Sequence, residues 1–257
     1  MVRGLYTAYT GLLNQQHRLD TITNNLANSA TTGFKKEGVT AKAFDEMFAI
    51  KVKDGSEDYI DKRIGKVSLG VKIGENYTDF TQGNLKGTEN TFDLAIAGEG
   101  FFEISFTNKA DVQSYKYTRD GSFNLDNEGY LTMPGIGRVQ GTNGAIRLTT
   151  DNIIIDKQGN IFSEDGNQNF GRLQIVDFAD YGQLTKISGS VFRANAQPQA
   201  ADAGTTVTQR YLEDSNVSMA EEMTRMISSQ RILQSSAQLL KIYDQLEAKM
   251  VTMGSAT

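Results

Sequence analysis

Cysteine is absent from this 257-residue chain, which excludes disulfide staples and any reaction or metal site that needs a thiolate. Histidine occurs once, as His17. A Ser-His-Asp relay or a histidine-bound metal would have to be built around that single ring. Its place between Gln16 and Arg18 in a helical stretch makes it a solvated helix-face residue instead. Tryptophan is missing too, and proline occurs only twice against 25 glycines, so the turns must be built from glycine and asparagine. No apolar run approaches the roughly 20 residues of a membrane-spanning helix. Gly4, Thr7, Thr10 and Gly11 break up the first thirteen residues, and no small-residue cleavage site follows an apolar core; a cleaved secretory signal is not expected. A net charge of −5 and a pI near 5.1 argue against a surface made to grip nucleic acid.

What is present is the make-up of an ordered globular chain, 39% apolar and 22% charged, neither disordered nor membranous. Leu5, Tyr9, Leu12, Gln16, Leu19, Thr23 and Leu26 recur at alternating spacings of four and three. That is the stripe of an amphipathic helix with two polar members. Over residues 4–28 such a helix would be about 37 Å long, and Asn28, Ser29, Thr31, Thr32 and Gly33 end it. Near the other end, Ser218 and Glu221 stand in capping-box spacing, with Glu221 and Glu222 where a helix dipole favours negative charge. Met219, Met223, Met226, Leu233, Ala237 and Leu240 continue a four-three stripe with Gln230 as its polar member. A second stripe (Ile232, Leu239, Leu246, with Ile242 and Tyr243) overlaps it, so the apolar face is broader than a two-stranded seam requires.

Between the helices, short apolar runs such as Leu94–Ala97 and Ile153–Ile155 alternate with turn signals: Asn127-Glu128-Gly129, Asn143-Gly144, Gln158-Gly159-Asn160 and Asp165-Gly166-Asn167. These readings predict an α+β fold that is mostly β. Residues 1–33 and 209–257 supply long N- and C-terminal helices forming a coiled-coil-like helical domain. Residues 34–84 form an extended arm, which begins with the apolar Phe44, Met47 and Phe48 and carries one mobile loop across the polar stretch 54–66. Residues 85–208 form a glycine-rich β domain inserted between the helices. Long amphipathic helices are not stable alone in water. A helical hairpin within the chain and packing between chains would both satisfy the stripes, and periodicity does not separate the two.

A search for chemistry finds none. No acidic pair is marked by spacing or apolar surroundings. Residues 120–126 offer oxygens from Asp120, Ser122, Asn124 and Asp126, but the glycine and glutamate of a calcium loop are misplaced, and a turn between strands fits better. Gly98-Glu99-Gly100 and Gly135-Ile136-Gly137 lack the third glycine of a dinucleotide fingerprint. No catalytic, cofactor or metal residue is predicted, and no small-molecule substrate.

Four blocks carry a resemblance. Asn24-Asn25-Leu26-Ala27-Asn28 followed by Thr32-Gly33-Phe34-Lys35 resembles the N-terminal signature of flagellar rod and hook proteins. Residues 93–102, with Gly98, Gly100, Phe101 and Phe102, are similar to the same family. So are residues 117–123, with Arg119, Asp120 and Gly121, and the triplet Ser215-Asn216-Val217 that opens a helix carrying Glu221-Glu222-Met223. Together they span nearly the whole chain, and the closest likeness is to basal-body rod proteins of the proximal- or distal-rod type. The resemblance implies a non-enzymatic structural subunit of the bacterial flagellar basal body. It would pack its terminal helices into an inner tube through the seam residues Leu5, Tyr9, Leu12, Leu19, Leu26, Met219, Met223, Met226, Leu233 and Leu240. It implies partners too: copies of itself, other rod and hook axial proteins, and the flagellar type III export apparatus, which carries subunits out without a cleaved signal. The alternative is a secreted β-rich cell-wall-binding or adhesin-like module. That would need an exposed aromatic cluster, and the 10 tyrosines and 13 phenylalanines do not bunch.

Overall fold

Two helices bracket the chain: α1 spans Val2–Ala27 and α2 spans Met219–Gly254. The computed structural model describes residues 2–44, 47–50, 63–67, 70–107, 113–164, 168–202 and 204–254. It divides the chain into two units, each gathered from separate stretches. One comprises Met1–Leu26, Glu37–Thr78 and Met219–Thr257; the other comprises Ala27–Lys36 and Asp79–Ser218.

In the helical unit the two helices lie against each other and run antiparallel. A side chain at Gly4 would run into the Tyr243 ring, and the Asn25 amide lies 3.4 Å from the Glu222 carboxylate. Residue numbers therefore rise along one helix as they fall along the other. No glycine or proline interrupts the 35 residues of α2 before its terminal Gly254, so nothing in its sequence forces a kink. Strand β1 (Glu37–Ala43) pairs antiparallel with β4 (Val71–Thr78), and β2 (Met47–Ile50) with β3 (Arg63–Val67). Part of the expected mobile loop, residues 54–62, lies outside the described residues; beyond it Arg63–Val67 is a strand.

The β unit opens with β5 (Leu85–Gly87), β6 (Leu94–Ala97), β7 (Phe101–Thr107) and β8 (Gln113–Thr118). Next come β9 (Asn124–Leu125), β10 (Leu131–Met133), β11 (Gly137–Gly141) and β12 (Gly144–Ala145). A small sheet follows, made of β13 (Ile153–Ile155), β14 (Asn160–Ser163) and β15 (Asn169–Arg172). The unit closes with β16 (Ile175–Asp177), β17 (Leu184–Ser188), β18 (Val191–Ala194), β19 (Gln199–Ala200), β20 (Thr206–Gln209) and β21 (Tyr211–Glu213). The largest sheet runs β17-β18-β8-β7-β11-β10-β9, with β16 pairing both β7 and β19. The last strands return to the first, β20 pairing β6 and β21 pairing β5, all antiparallel.

Alternation along β7 builds the core. Phe102 and Ile104 enter a cluster with Leu94, Ile96, Phe123 and Leu131, while Phe101 faces a second cluster with Tyr117, Val176, Phe178 and Phe192. The period of two on a strand sends neighbours to opposite faces, so one pair of phenylalanines joins two cores. The second cluster is mainly aromatic: Phe80, Phe178, Tyr181 and Phe192 stand 5.7, 6.0, 6.0 and 5.9 Å from the Phe101 ring. Of the turn signals, Asn127-Glu128-Gly129 joins β9 to β10, Asn143 lies between β11 and β12, and Gln158-Gly159 lies between β13 and β14. Asp165-Gly166-Asn167 lies outside the described residues.

Candidate assembly surface

The helices bury the wrong kind of residue for a finished core. Among their described residues, the fully buried ones are Asn14, Thr21, Ile22 and Asn25 on α1 and Glu222 and Ser229 on α2. Only Ile22 is apolar. Met226, Leu233, Ala237, Leu240 and Tyr243 are half-buried on the same face of α2 as Glu222 and Ser229. Met219 and Met223 stand outside, 49% and 46% exposed, and Ile227, Ile232, Leu239, Ile242, Leu246 and Met250 join them. On α1, Leu5, Leu12, Leu19 and Leu26 are half-buried, while Tyr9 is exposed beside Tyr6 and Leu13. Met and Ile left open at this density amount to an unpartnered apolar surface, not scattered exposure. His17 is half-buried with its Nδ1 sheltered, not solvated as its sequence neighbours imply, because that side of α1 is packed.

Asn25 has a defined task within the helical unit. Only 1% exposed, it accepts from the Glu37 amide at 3.0 Å and donates to the Glu37 carbonyl at 2.8 Å. One side chain thus treats Glu37 as a neighbouring strand would, tying the last turn of α1 to the start of β1. Asn24, Leu26 and Ala27 share that turn, Asn24 and Ala27 on its exposed side. Asn28 then turns the chain, its carbonyl taking the Thr31 amide and its Oδ1 the Thr31 hydroxyl.

In the β unit several motif residues meet at or beside one buried ion cluster. The Lys35 ammonium lies 2.6 Å from Glu213 Oε1 and donates to the Thr81 carbonyl at 2.7 Å. Glu213 Oε2 faces Arg119 at 3.5 Å, and Arg119 donates to the Gly98 carbonyl at 2.8 Å. All three charges are shut away from solvent. Burial pulls the Lys35 pKa below its ordinary value despite the opposing attraction of Glu213. Gly98 and Gly100 turn the chain into β7 with positive φ. Asp120 accepts from Thr32 and from the Ser122 amide, and the Gly121 carbonyl accepts from Leu94 and Phe123. Asn216 gathers three stretches, accepting from the Lys36 amide at 2.8 Å and donating to the Asp79 and Thr81 carbonyls at 2.9 and 3.2 Å. Ser215 Oγ accepts from the amide of the buried Val217.

Glu213 and Ser229, both buried, are unmarked in the sequence, and Lys35 and Glu222 lie inside motifs that do not mark them as buried. A buried charge has no periodic signature. Among the described residues no group of three His, Cys, Asp or Glu could hold a metal ion, and no helix is long and apolar enough to cross a membrane.

Comparison with known proteins agrees along the chain. Residues 5–35 match the family model for flagella basal body rod proteins. Residues 95–200 match the D1 domain of the flagellar hook protein FlgE/F/G, and residues 208–253 the C-terminal model of flagellar basal body rod FlgEFG proteins. The flagellar basal-body rod protein FlgG of Bacillus subtilis is 34% identical, covering 98% of this chain and 99% of its own. That of Borreliella burgdorferi is 31% identical, covering 96% of each. The flagellar hook protein FlgE of Borreliella burgdorferi is 36% identical over 146 residues, 55% of this chain and 31% of that protein. Matched at both helices and through the β unit between them, the chain belongs to the flagellar basal-body rod and hook protein family.

Proposed function

We propose that this chain is a structural subunit of the flagellar rod that self-assembles through α1 and α2 into a helical tube and carries torque from motor to hook. The observation that supports this most is the open apolar ridge of α2, running from Met219 to Met253. Covering it with like copies would gain about 25 cal/mol for each Å² taken from water. Contacts between unlike faces that do not close generate a filament and not a ring. In this reading residues 1–33 and 209–257 make a coiled-coil-like inner wall, 34–84 an arm to neighbouring subunits, and 85–208 the outer β domain. Its neighbours are copies of itself and other axial proteins of the rod and hook. It reaches the basal body through the flagellar export apparatus, without a cleaved signal.

Replacing Met223 or Leu239 with aspartate tests the reading. Both side chains are open in the single chain, so the monomer should keep its circular dichroism and thermal transition. Assembly, followed by electron microscopy and by motility of cells carrying only the variant, should be lost. Variants that still enter normal rods would remove these helices as the assembly elements.

A further inference from the structure

Residues 32–36 have neither helix nor strand, yet hydrogen bonds and ion pairs hold them along their length. Thr32 donates its hydroxyl to Asp120 at 2.8 Å, and the Gly33 amide donates to the Glu213 carbonyl at 2.7 Å. Gly33 adopts φ +64, and a Cβ there would enter the backbone of Arg119 and Asp120; no L side chain fits. Phe34 is 1% exposed, and the Lys186 ammonium sits 3.6 Å over its ring centroid. Lys35 points its ammonium at Glu213 and the Thr81 carbonyl, and Glu213 Oε1 is held from the far side by the Gly83 amide at 2.9 Å. The main chain of Lys36 is gripped at both ends, its amide by Asn216 and its carbonyl by the Asp79 amide, each at 2.8 Å.

Apart from the Phe34 amide's bond to the Thr31 carbonyl, the contacts named here come from residues at least 43 positions away, in 79–83, 119–120, 186 and 213–216. Along the chain, Ala27–Lys36 is preceded and followed by stretches that belong to the other unit. It is held as a bound peptide is held: by a pocket for a ring, a position that admits only glycine, and a charged floor.

We infer that the β unit carries a built peptide-binding cleft specific for a Thr-Gly-Phe-Lys sequence, occupied in this chain by its own residues 32–35, with a lysine socket at its floor. The socket discriminates by shape as well as charge. One compact ammonium meets one carboxylate oxygen and one carbonyl, an arrangement a planar guanidinium does not fill. Methionine would fit the space but leave Glu213 with Arg119 as its one charged partner among those described. Docking of this segment anchors the residues that follow α1, and it belongs to the single chain, independent of assembly.

Amide hydrogen exchange on the full-length monomer tests this, with the amides of Gly33 and Lys36 as reporters. In the unaltered chain both should exchange as slowly as the core amides of Phe102 and Ile104, since both are bonded in the cleft. Exchange as fast as at the exposed ends of the helices would overturn the inference. Lys35→Met should speed both reporters by roughly a hundredfold, the scale of breaking a buried pair, while β7 keeps its protection. Should Lys35→Met unfold the whole unit, Gly33→Ala, which undocks the segment sterically without touching the charges, should still speed Lys36 ahead of β7. Reporters unchanged in both variants would count against the cleft. Glu213→Gln with and without Lys35→Met closes the test. The double variant should exchange no faster than Glu213→Gln alone, because the socket is already empty of its anion; fully additive effects would mean Lys35 and Glu213 do not act together.

Discussion

The two units bury their apolar side chains to different degrees. In the β unit most residues with no exposure are apolar, Leu94, Ile96, Phe101, Phe102, Ile104, Phe123 and Leu131 among them, and most of the large apolar side chains are covered within the chain. In the helices the fully buried positions are mostly Asn, Thr, Glu and Ser; Leu5, Leu12, Leu19, Leu26, Met226, Leu233 and Leu240 are half-buried, while Met219, Met223, Ile227, Ile232, Leu239 and Ile242 look outward. Hydrophobic burial drives folding of a unit only as far as that unit covers its own apolar area. The β unit is therefore finished as a monomer. The helical unit keeps much of its apolar surface in reserve and holds its shape partly through polar contacts such as the one between Asn25 and Glu37. That contrast teaches how far each unit covers its own apolar surface within one chain.

Breaking the contrast on the β side should have the largest effect. Phe101→Ala leaves a cavity among Phe80, Phe178, Tyr181 and Phe192 and should cost about 3–5 kcal/mol of stability, measured by chemical denaturation. A loss no greater than that of a surface change would mean the aromatic cluster is not packed as described.

Alkali should probe the same cluster with a smaller effect. Burial, with the nearby Glu103 charge adding to it, raises the Tyr117 pKa from 10.0 to about 12. The unfolded chain therefore gives up this proton first, and stability, intact below pH 10, should fall as pH rises to about 12. A shift of this size corresponds to about 2–3 kcal/mol at the top of the window. Burial and the hydrogen bond to Asp177 raise Tyr181 in the same sense. Tyr117→Phe should flatten the alkaline loss, and an unchanged slope would point away from this ring.

The smallest effect should fall on the helices. Leu239→Asp changes a side chain that is 48% exposed and should move monomer stability by no more than about 0.5 kcal/mol. A drop as large as that of Phe101→Ala would mean the ridge is already covered within the chain, and the contrast between the units would vanish.

Much of this was legible beforehand, for identifiable reasons. The four-three spacing of Leu5 to Leu26 and the long run free of proline after Ser218 mark helices because helical periodicity is local. The glycine-asparagine turns at residues 127–129, 143–144 and 158–160 mark hairpins for the same reason. Phe101 and Phe102 fall on opposite faces because a strand alternates. What periodicity did not separate is which side of α2 faces inward: Met219 and Met223 belong to the stripe on paper, but Glu222 and Ser229 take the inward positions. Nor does any local signal place Ala27–Lys36 among the β strands, since its partners lie far along the chain.

The sequence by itself determined the two helices, the strand-and-turn character of the middle, and the absence of thiol and histidine-cluster chemistry, because each follows from residue type and near-neighbour spacing. Only the tertiary structure decided that Lys35, Glu213 and Arg119 share one buried site and that Asn25 and Asn216 each grip backbone from distant segments. It alone decided that α2 leaves Met219, Met223, Ile232 and Leu239 open while Glu222 and Ser229 turn inward. Those outcomes depend on which remote groups meet once water is excluded, and the energy of a buried charge or an uncovered methyl is set by that meeting and not by its place in the chain.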